Sequence, residues 1–291
     1  MLYFIIVNYY SEPLIIKLLK SLIKIKLIPK EVIIIDNSNS DSNIIFSRFL
    51  SLKLKRIKSD HNIGFGRACN LGLKYIYSQD TKALVWLLNP DTCLSPSIID
   101  QASSFFNQYP EISILGTLIY SKDQKIWFGG GQFNRNTGAI FAQNLFTLSS
   151  PKPYYVCDWV SGCSMIINFN HFQKCPQFDP NYFLYYEDFD FCQRYQSQGH
   201  LVAVTDHISV IHEVSAITNR NLRSKFYHST YSYLFTLERY TAKPVFYLRF
   251  LRLIIYAFIL LPVKPAIALG KITGAWHYIR KSISGVLPFT H

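Results

Sequence analysis

The run Phe178-Asp179-Pro180-Asn181-Tyr182-Phe183-Leu184-Tyr185-Tyr186-Glu187-Asp188-Phe189-Asp190 gathers Glu187, Asp188 and Asp190 behind a row of aromatics. At helical spacing Glu187 and Asp190 share a face, while Asp188 points elsewhere. A carboxylate at a helix start between aromatic walls can act as a general base toward a hydroxyl. Capping of a helix N-terminus accounts equally well for one or two of these acids. Asp91 closes Leu87-Leu88-Asn89-Pro90-Asp91 at a strand end, a place suited to a divalent cation that neutralises a leaving diphosphate. A single acid stands there, where two would coordinate more strongly. Asp36 heads Asp36-Asn37-Ser38-Asn39-Ser40-Asp41. Its carboxylate can accept hydrogen bonds from a ribose or from a uracil or thymine N–H, or can simply close an Asx-turn.

The segment Asn62-Ile63-Gly64-Phe65-Gly66-Arg67-Ala68-Cys69-Asn70-Leu71-Gly72 brings two glycines to a helix start, with Arg67 beside them. Backbone N–H groups at such an end can face a diphosphate, although glycine at a loop-to-helix junction also serves conformation alone. A dinucleotide fingerprint would follow the first strand and carry a third glycine where Cys69 stands, so NAD binding is disfavoured.

These residues need strands that end beside them. Leu2 to Val7 is a continuous apolar run ending at Asn8, and Val32 to Ile35 is a second ending at Asp36. Leu52 to Lys58 reads as a weaker third strand, Ala83 to Leu88 as a fourth and Ile112 to Ile119 as a fifth. Pro13 opens a helix with Leu14, Ile15, Leu18, Leu19 and Leu22 on one face; Ala68 to Tyr77 is helical, and Pro96 starts another helix. Repeated β-α units predict a mostly parallel α/β sheet whose ligands collect at the carboxyl ends of strands. Asn8, Asp36 and Asp91 all fall there. Beyond Tyr120 come turn signals in an aromatic-rich β region, a strand from Ser164 to Ile167, a helix from Glu187 to Gln198 closed by Gly199, and a last strand from Leu201 to Ile211 ending at His212.

The 291 residues are 49% hydrophobic and 16% aromatic, which excludes a disordered chain. With 30 Lys and Arg against 18 Asp and Glu the net charge is +12, implying an anionic partner. The charge is uneven. No acid follows Glu238, and Arg239, Lys243, Arg249, Arg252, Lys264, Lys271, Arg280 and Lys281 lie in a very apolar stretch. Its longest uncharged run, Leu253 to Leu261, falls short of the roughly 20 residues of a bilayer span. A basic, apolar segment of this kind is expected to lie against the headgroups of an anionic membrane. The alternative is an ordinary helix with solvated cations. The first residues lack the basic region and cleavage site of a signal peptide and read as a buried strand. The six cysteines form no CxxC pair and are expected as core residues in a reducing cytosol.

Taken in order, IVNYY (Ile6 to Tyr10), IIIDNSNSD, NIGFGRACNLGL, LLNPD, CDWVSGCSMII (Cys157 to Ile167), FDPNYFLYYEDFDFCQR and His212 resemble the inverting family 2 glycosyltransferases. The similarity is greatest to bacterial rhamnosyltransferase-like members that build O-antigen and other surface polysaccharides. The resemblance covers about residues 2 to 240. It implies a GT-A fold over 1–240, with a nucleotide-sugar-binding half (1–120) and an acceptor-binding, catalytic half (121–240); the basic, apolar residues 241–291 are expected, from their composition, as an amphipathic helical, membrane-associating tail. It gives donor contacts to Asn8, Asp36, Asn62, Gly64, Gly66, Arg67, Asn89 and Asp91, with Asn89 replacing the first acid of the family's Asp-x-Asp motif. Asp91, with His212 as a second candidate, would hold Mg²⁺ or Mn²⁺. Asp158 and Trp159 would line the acceptor pocket. Asp188 would be the base, with Glu187 as the alternative. The implied donor is a nucleoside-diphosphate sugar such as dTDP-rhamnose, and the implied acceptor a polyprenyl-diphosphate-linked saccharide at the cytoplasmic face of the bacterial inner membrane. Two rivals remain: an inactive homologue acting as a membrane scaffold, and a basic nucleic-acid-binding protein. The second lacks any recognition motif.

Overall fold

Strand β1 (Leu2–Asn8) is buried along its whole length, as its unbroken apolar run requires, and lies parallel to β2 (Glu31–Asp36) on one side and β4 (Leu84–Leu88) on the other. Edge strand β3 (Leu54–Lys58) continues the parallel set beside β2. In the order β3-β2-β1-β4 the strands are added outward from β1 to β3 and then on the other side of β1, so the strand order reverses between β1 and β4. Such a switch point opens a crevice at the strands' carboxyl ends. In this computed structural model residues 1–23, 31–38, 49–95, 98–147, 152–213 and 221–284 are described. Asn39, Ser40, Asp41 and Pro96, singled out above, lie outside the described residues.

The second half departs from simple β-α alternation. Strand β11 (Ser164–Asn168) inserts antiparallel between β4 and β6 (Ile114–Ser121), and β12 (Val202–His212) then runs parallel to β6. A buried polar pin holds the insertion: Trp86 Nε1 and Thr117 Oγ1 both donate to Ser164 Oγ, at 2.9 and 2.8 Å. Short strands β5 (Thr92–Leu94), β7 (Ile126–Phe128) and β10 (Tyr155–Val156) complete the ten-stranded sheet. Strands β8 (Gly131–Asn134) and β9 (Ala139–Ala142) form a separate hairpin.

Helix α1 (Glu12–Ile23) buries Ile15, Leu18, Leu19 and Leu22, as their spacing predicts; each such side chain contributes about 1.5–3 kcal/mol by leaving water. Helices α2 (Phe65–Gln79), α3 (Ile98–Gln108) and α4 (Glu187–Gln196) follow in the chain. All six cysteines are free thiols, and Cys69, Cys157, Cys163 and Cys192 are buried.

The C-terminal stretch folds as three helices, α5 (Leu222–Tyr240), α6 (Lys243–Leu260) and α7 (Pro265–Ser284). It is not a detached tail. Tyr231 and Leu234 of α5 share a small core with Ala275 and Tyr278 of α7. Gly270 and Gly274 permit the approach, since a Cβ at either would lie 2.6 Å from the Arg223 carbonyl oxygen or 2.4 Å from that of Tyr227. Helix α6 behaves differently. Of its side chains only Ala257 is fully buried, while Tyr247, Leu248, Leu251, Phe258 and Ile259 stand in solvent. Among the described residues no helix is long and apolar enough to cross a membrane.

Candidate active site

At the end of β2, Asp36 is held by protein on both oxygens. Its Oδ1 accepts from Asn8 Nδ2 (3.1 Å), from the Ser38 amide (3.2 Å) and from Ser38 Oγ (2.6 Å); Arg56 of β3 closes on Oδ2. Burial pushes the Asp36 carboxyl up, but the Ser38 and Arg56 bonds outweigh it and hold the group below its ordinary value. Asp36 is therefore an ionised, preorganised acceptor, and a base or ribose reaching it must share an oxygen with Ser38 or Arg56. Asn8 faces inward: its amide nitrogen also reaches Ser38 Oγ at 3.2 Å, and its oxygen takes the Ser11 amide and hydroxyl at 3.0 and 2.9 Å. It positions the strand ends and has no group left for the donor.

The glycine loop is also held by bonds within the protein. Asn37 Oδ1 accepts from the Ile63 amide, Asn62 Oδ1 from the Gly64 amide and the Phe183 carbonyl from the Phe65 amide, each at 3.0 Å. Three amides leading into this helix, that of Gly64 among them, thus donate within the protein. Gly64 has φ +86°, and a Cβ there would sit 2.2 Å from the Phe183 oxygen. Gly66 lies close under Phe178, where a Cβ would meet its Cβ at 3.0 Å. Both glycines let the start of α2 pack on the 178–183 segment, and Arg67 follows them, its Nε donating to the Pro180 carbonyl at 2.8 Å. The loop thus supports the 178–183 segment that leads into the acids of α4.

Asp91 and His212 meet because β5 pairs with β12, setting His212 opposite Thr92. Both are buried. Asp91 Oδ1 lies 3.1 Å from His212 Nε2, yet the two lack the alignment of a hydrogen bond and Asp91 Oδ1 has no donor. A buried carboxylate oxygen facing an imidazole nitrogen in this way fits a divalent cation held between them. Among the described residues no three His, Cys, Asp or Glu side chains gather as a complete metal cage, so further ligands must come from substrate and water. Asn89 anchors the turn through its backbone: its amide donates to the Cys163 carbonyl at 2.9 Å, and its carbonyl accepts from Thr92 Oγ1 at 2.7 Å.

The acids open α4 as their spacing predicts. Glu187 and Asp190 point inward, 6% and 0% exposed, and Asp188 turns to the partly open side. Tyr185 and Tyr186 precede them with φ of 70° and 63°. Two bulky residues in the left-handed region cost about 1–3 kcal/mol each, and such strain gathers at functional sites. Asp188 Oδ2 accepts from the Gly162 amide at 3.0 Å and Oδ1 from the Phe189 amide at 2.8 Å. Burial raises both acids; the two amide bonds restrain Asp188, whereas the Asp188 charge raises Glu187 further. Glu187 Oε2 has no hydrogen-bond partner. Of the pair Glu187 is the one pushed up to about 8, by burial first and then by the Asp188 charge, while the amide bonds to Gly162 and Phe189 favour the carboxylate form of Asp188. The 162–163 backbone links the two halves of the site, the Gly162 amide bonding Asp188 and the Cys163 carbonyl taking the Asn89 amide; burial first, then the charges of Asp91 and Asp188, push the Cys163 thiol up.

Asp190 plays a different part. Its oxygens take Arg194 Nε, Arg239 Nη1 and Tyr240 Oη, each at 2.7 Å, and Arg239 also bridges to Asp179 at 2.7 Å. This network ties α5 to both ends of the 179–190 segment. Neither Arg239 nor Arg56 carries a local sequence signal, because their partners lie far away in the chain. Asp158 is half-buried, and its Oδ2 accepts from the Phe133 amide at 2.7 Å, which ties down the β8-β9 hairpin. Trp159 packs against Phe128 and Phe189, with an indole N–H that lacks a partner.

A mannosyltransferase from Pyrobaculum calidifontis, solved with GDP-Man and Mn²⁺, has a similar fold, with TM-score 0.58 at 14% identity over 99% of this chain and 76% of its own. TarS residues 1–349 from S. aureus, solved with UDP, gives TM-score 0.54 at 18% identity over 80% of this chain and 64% of its own. In sequence the chain is similar to the N-acetylglucosaminyl-diphospho-decaprenol L-rhamnosyltransferase of Mycobacterium tuberculosis, 25% identical over 175 residues, which are 54% of this chain and 56% of that protein. The chain spans about half the length of this curated relative. The family model "Glycosyl transferase family 2" matches residues 3–174. With more than half of its length matched, a GT-A-like sheet and acids opening α4, the chain belongs to glycosyl transferase family 2.

Proposed function

We propose that the chain is an inverting glycosyltransferase that moves L-rhamnose from dTDP-rhamnose onto a polyprenyl-diphosphate-linked saccharide, in the assembly of O-antigen or a related bacterial surface polysaccharide. The observation that carries this is the single turn joining the two ends of the site: the Gly162 amide donates to Asp188 Oδ2 at 3.0 Å, and the carbonyl of the next residue, Cys163, accepts from the Asn89 amide at 2.9 Å, two residues before Asp91. In a single displacement the acceptor oxygen bonds to the anomeric carbon, its proton passes to an Asp188 oxygen, and the bond to the diphosphate breaks. The Gly162 and Phe189 amides hold the carboxylate in place, and Glu187, still protonated, adds no second charge beside it. A divalent cation on Asp91 and His212 would supply charge neutralisation for the leaving diphosphate. The relative's printed name, with its diphospho-decaprenol acceptor and rhamnosyl product, supports the choice of substrates.

A thermal-shift screen of nucleotide sugars with and without Mn²⁺ tests the donor site. Stabilisation is expected from a nucleoside diphosphate with Mn²⁺ together, and little from Mn²⁺ alone because the protein supplies few ligands. Asp91→Asn should remove the Mn²⁺-dependent part. An unchanged Mn²⁺ response in that variant would contradict the assignment.

We place the enzyme peripherally on the cytoplasmic face of the inner membrane. The outward face of α6 supports this, with Leu248 and Phe258 each 60% exposed and no acid anywhere after Glu238. Leu248→Asp with Phe258→Asp should release the protein from anionic liposomes without lowering its thermal stability, since both positions are solvent-facing. Full retention would contradict the membrane reading.

A further inference from the structure

A cavity of about 520 Å³ opens where α5, α6 and α7 meet the start of α4. Tyr186, the residue before Glu187 and Asp188, forms one wall, and Tyr233, Arg249, Arg252, Lys271 and Ile259 form others. Among the described residues its lining contains three cations and no Asp or Glu. Arg249 is steadied by donating from Nε to the Thr137 carbonyl at 2.6 Å. Lys271 lies 5.2 Å from the Phe226 ring centre and 5.7 Å from that of Tyr256, and burial lowers its pKa. An ammonium desolvated against aromatic rings without a carboxylate, beside two guanidinium groups, awaits an anion. Ile255 and Ile259 line the cavity and are also exposed on α6, so the pocket runs onto that helix's apolar surface.

We propose that this cavity binds the diphosphate of the lipid-linked acceptor, with its saccharide directed past Tyr186 toward Asp188 and its polyprenyl chain over Ile255 and Ile259. The inference rests on the transferase reading above and assigns that enzyme a second anion site, separate from the Asp91–His212 end that takes the donor. A neutral saccharide would require none of the three cations. A diphosphate presents oxygens that match the fork of each Arg and the point charge of Lys271.

The test is flotation of the full chain with two kinds of phosphatidylcholine vesicle. One kind carries undecaprenyl diphosphate and the other phosphatidylglycerol at equal total charge. The wild type is expected to prefer the diphosphate vesicles at least tenfold, about 1.4 kcal/mol, with the preference intact in saturating dTDP. Arg252→Ala with Lys271→Met should remove the preference and leave binding to phosphatidylglycerol in place. Arg252→Ala alone, at an exposed position, decides the matter if the double variant unfolds. A preference that survives the substitutions overturns the proposal, as does an equal loss on both vesicles, which would indicate a general headgroup surface. Displacement by dTDP also overturns it, because the pocket would then be the donor's. Failure of the wild type to bind any nucleotide would instead sink the transferase reading and leave the flotation result standing.

Discussion

Asp188→Asn is expected to lower transfer by about 10²–10⁴-fold, the usual contribution of a positioned general base, while nucleoside-diphosphate binding persists. The amide side chain keeps one oxygen for the Gly162 or Phe189 amide but cannot take the acceptor's proton. Glu187→Gln is the informative partner. Its carboxyl is pushed up to about 8 by burial and by Asp188, so the working form is already neutral and the amide imitates it. Turnover in that variant should stay within about tenfold of wild type, a limit set by altered packing alone. Stability should respond too. The folded protein retains a proton on Glu187 that the unfolded chain releases near pH 4, so this residue destabilises the fold increasingly as pH rises from about 4 toward 8. Glu187→Gln should therefore raise the melting temperature more at pH 8 than at pH 5. Thermal unfolding at the two pH values, beside steady-state rates, checks both parts. A dead Glu187→Gln with a live Asp188→Asn would exchange the roles.

Arg239→Met should produce the largest loss of stability among the residues outside the reacting centre. Its guanidinium bridges Asp179 and Asp190, and Asp190 has no exposure to water. Breaking a fully buried pair costs about 3–5 kcal/mol. Here Arg239 is 38% exposed and Arg194 still serves the other Asp190 oxygen, so about 2 kcal/mol is expected, in line with hydrogen bonds to a charged group. For a chain of 291 residues that lowers the melting temperature by about 3 °C. Catalysis should fall as well, because the same network fixes the 179–190 segment that carries Asp188. Tyr240→Phe removes a single donor from Asp190 and should cost less. An Arg239→Met protein with wild-type melting and turnover would show that α5 does not brace the site.

The parallel half of the sheet could be read from residue types because β1, β2 and β4 are buried on both faces and their apolar runs are unbroken. The inward pair Glu187 and Asp190 followed from helical spacing alone. What lay beyond reach depended on long-range register. Nothing local to Ser164 shows that β11 slips antiparallel between β4 and β6. The same holds for the acids. Asp36 and Asp158 carry suitable chemistry at suitable places, yet whether a carboxylate is open or already bonded depends on Arg56 and on the Phe133 amide, many residues away. Gly64 and Gly66 were recognisable as special, but their reason is the approach of residues 178–183 across the fold. The charge and apolarity of the C-terminal stretch are plain in its residues, whereas the role of Gly270 and Gly274 in docking α7 on α5 depends on the Arg223 and Tyr227 carbonyls, more than 40 residues away.

The most direct measurement is transfer of labelled rhamnose from dTDP-rhamnose to N-acetylglucosaminyl-diphospho-polyprenol by the purified full chain, with the product's anomeric configuration read by NMR. The expected result is a glycolipid whose new linkage has the configuration opposite to the donor's, formed by wild type and lost in Asp188→Asn. Retention of the donor's configuration would contradict a single displacement with Asp188 as base.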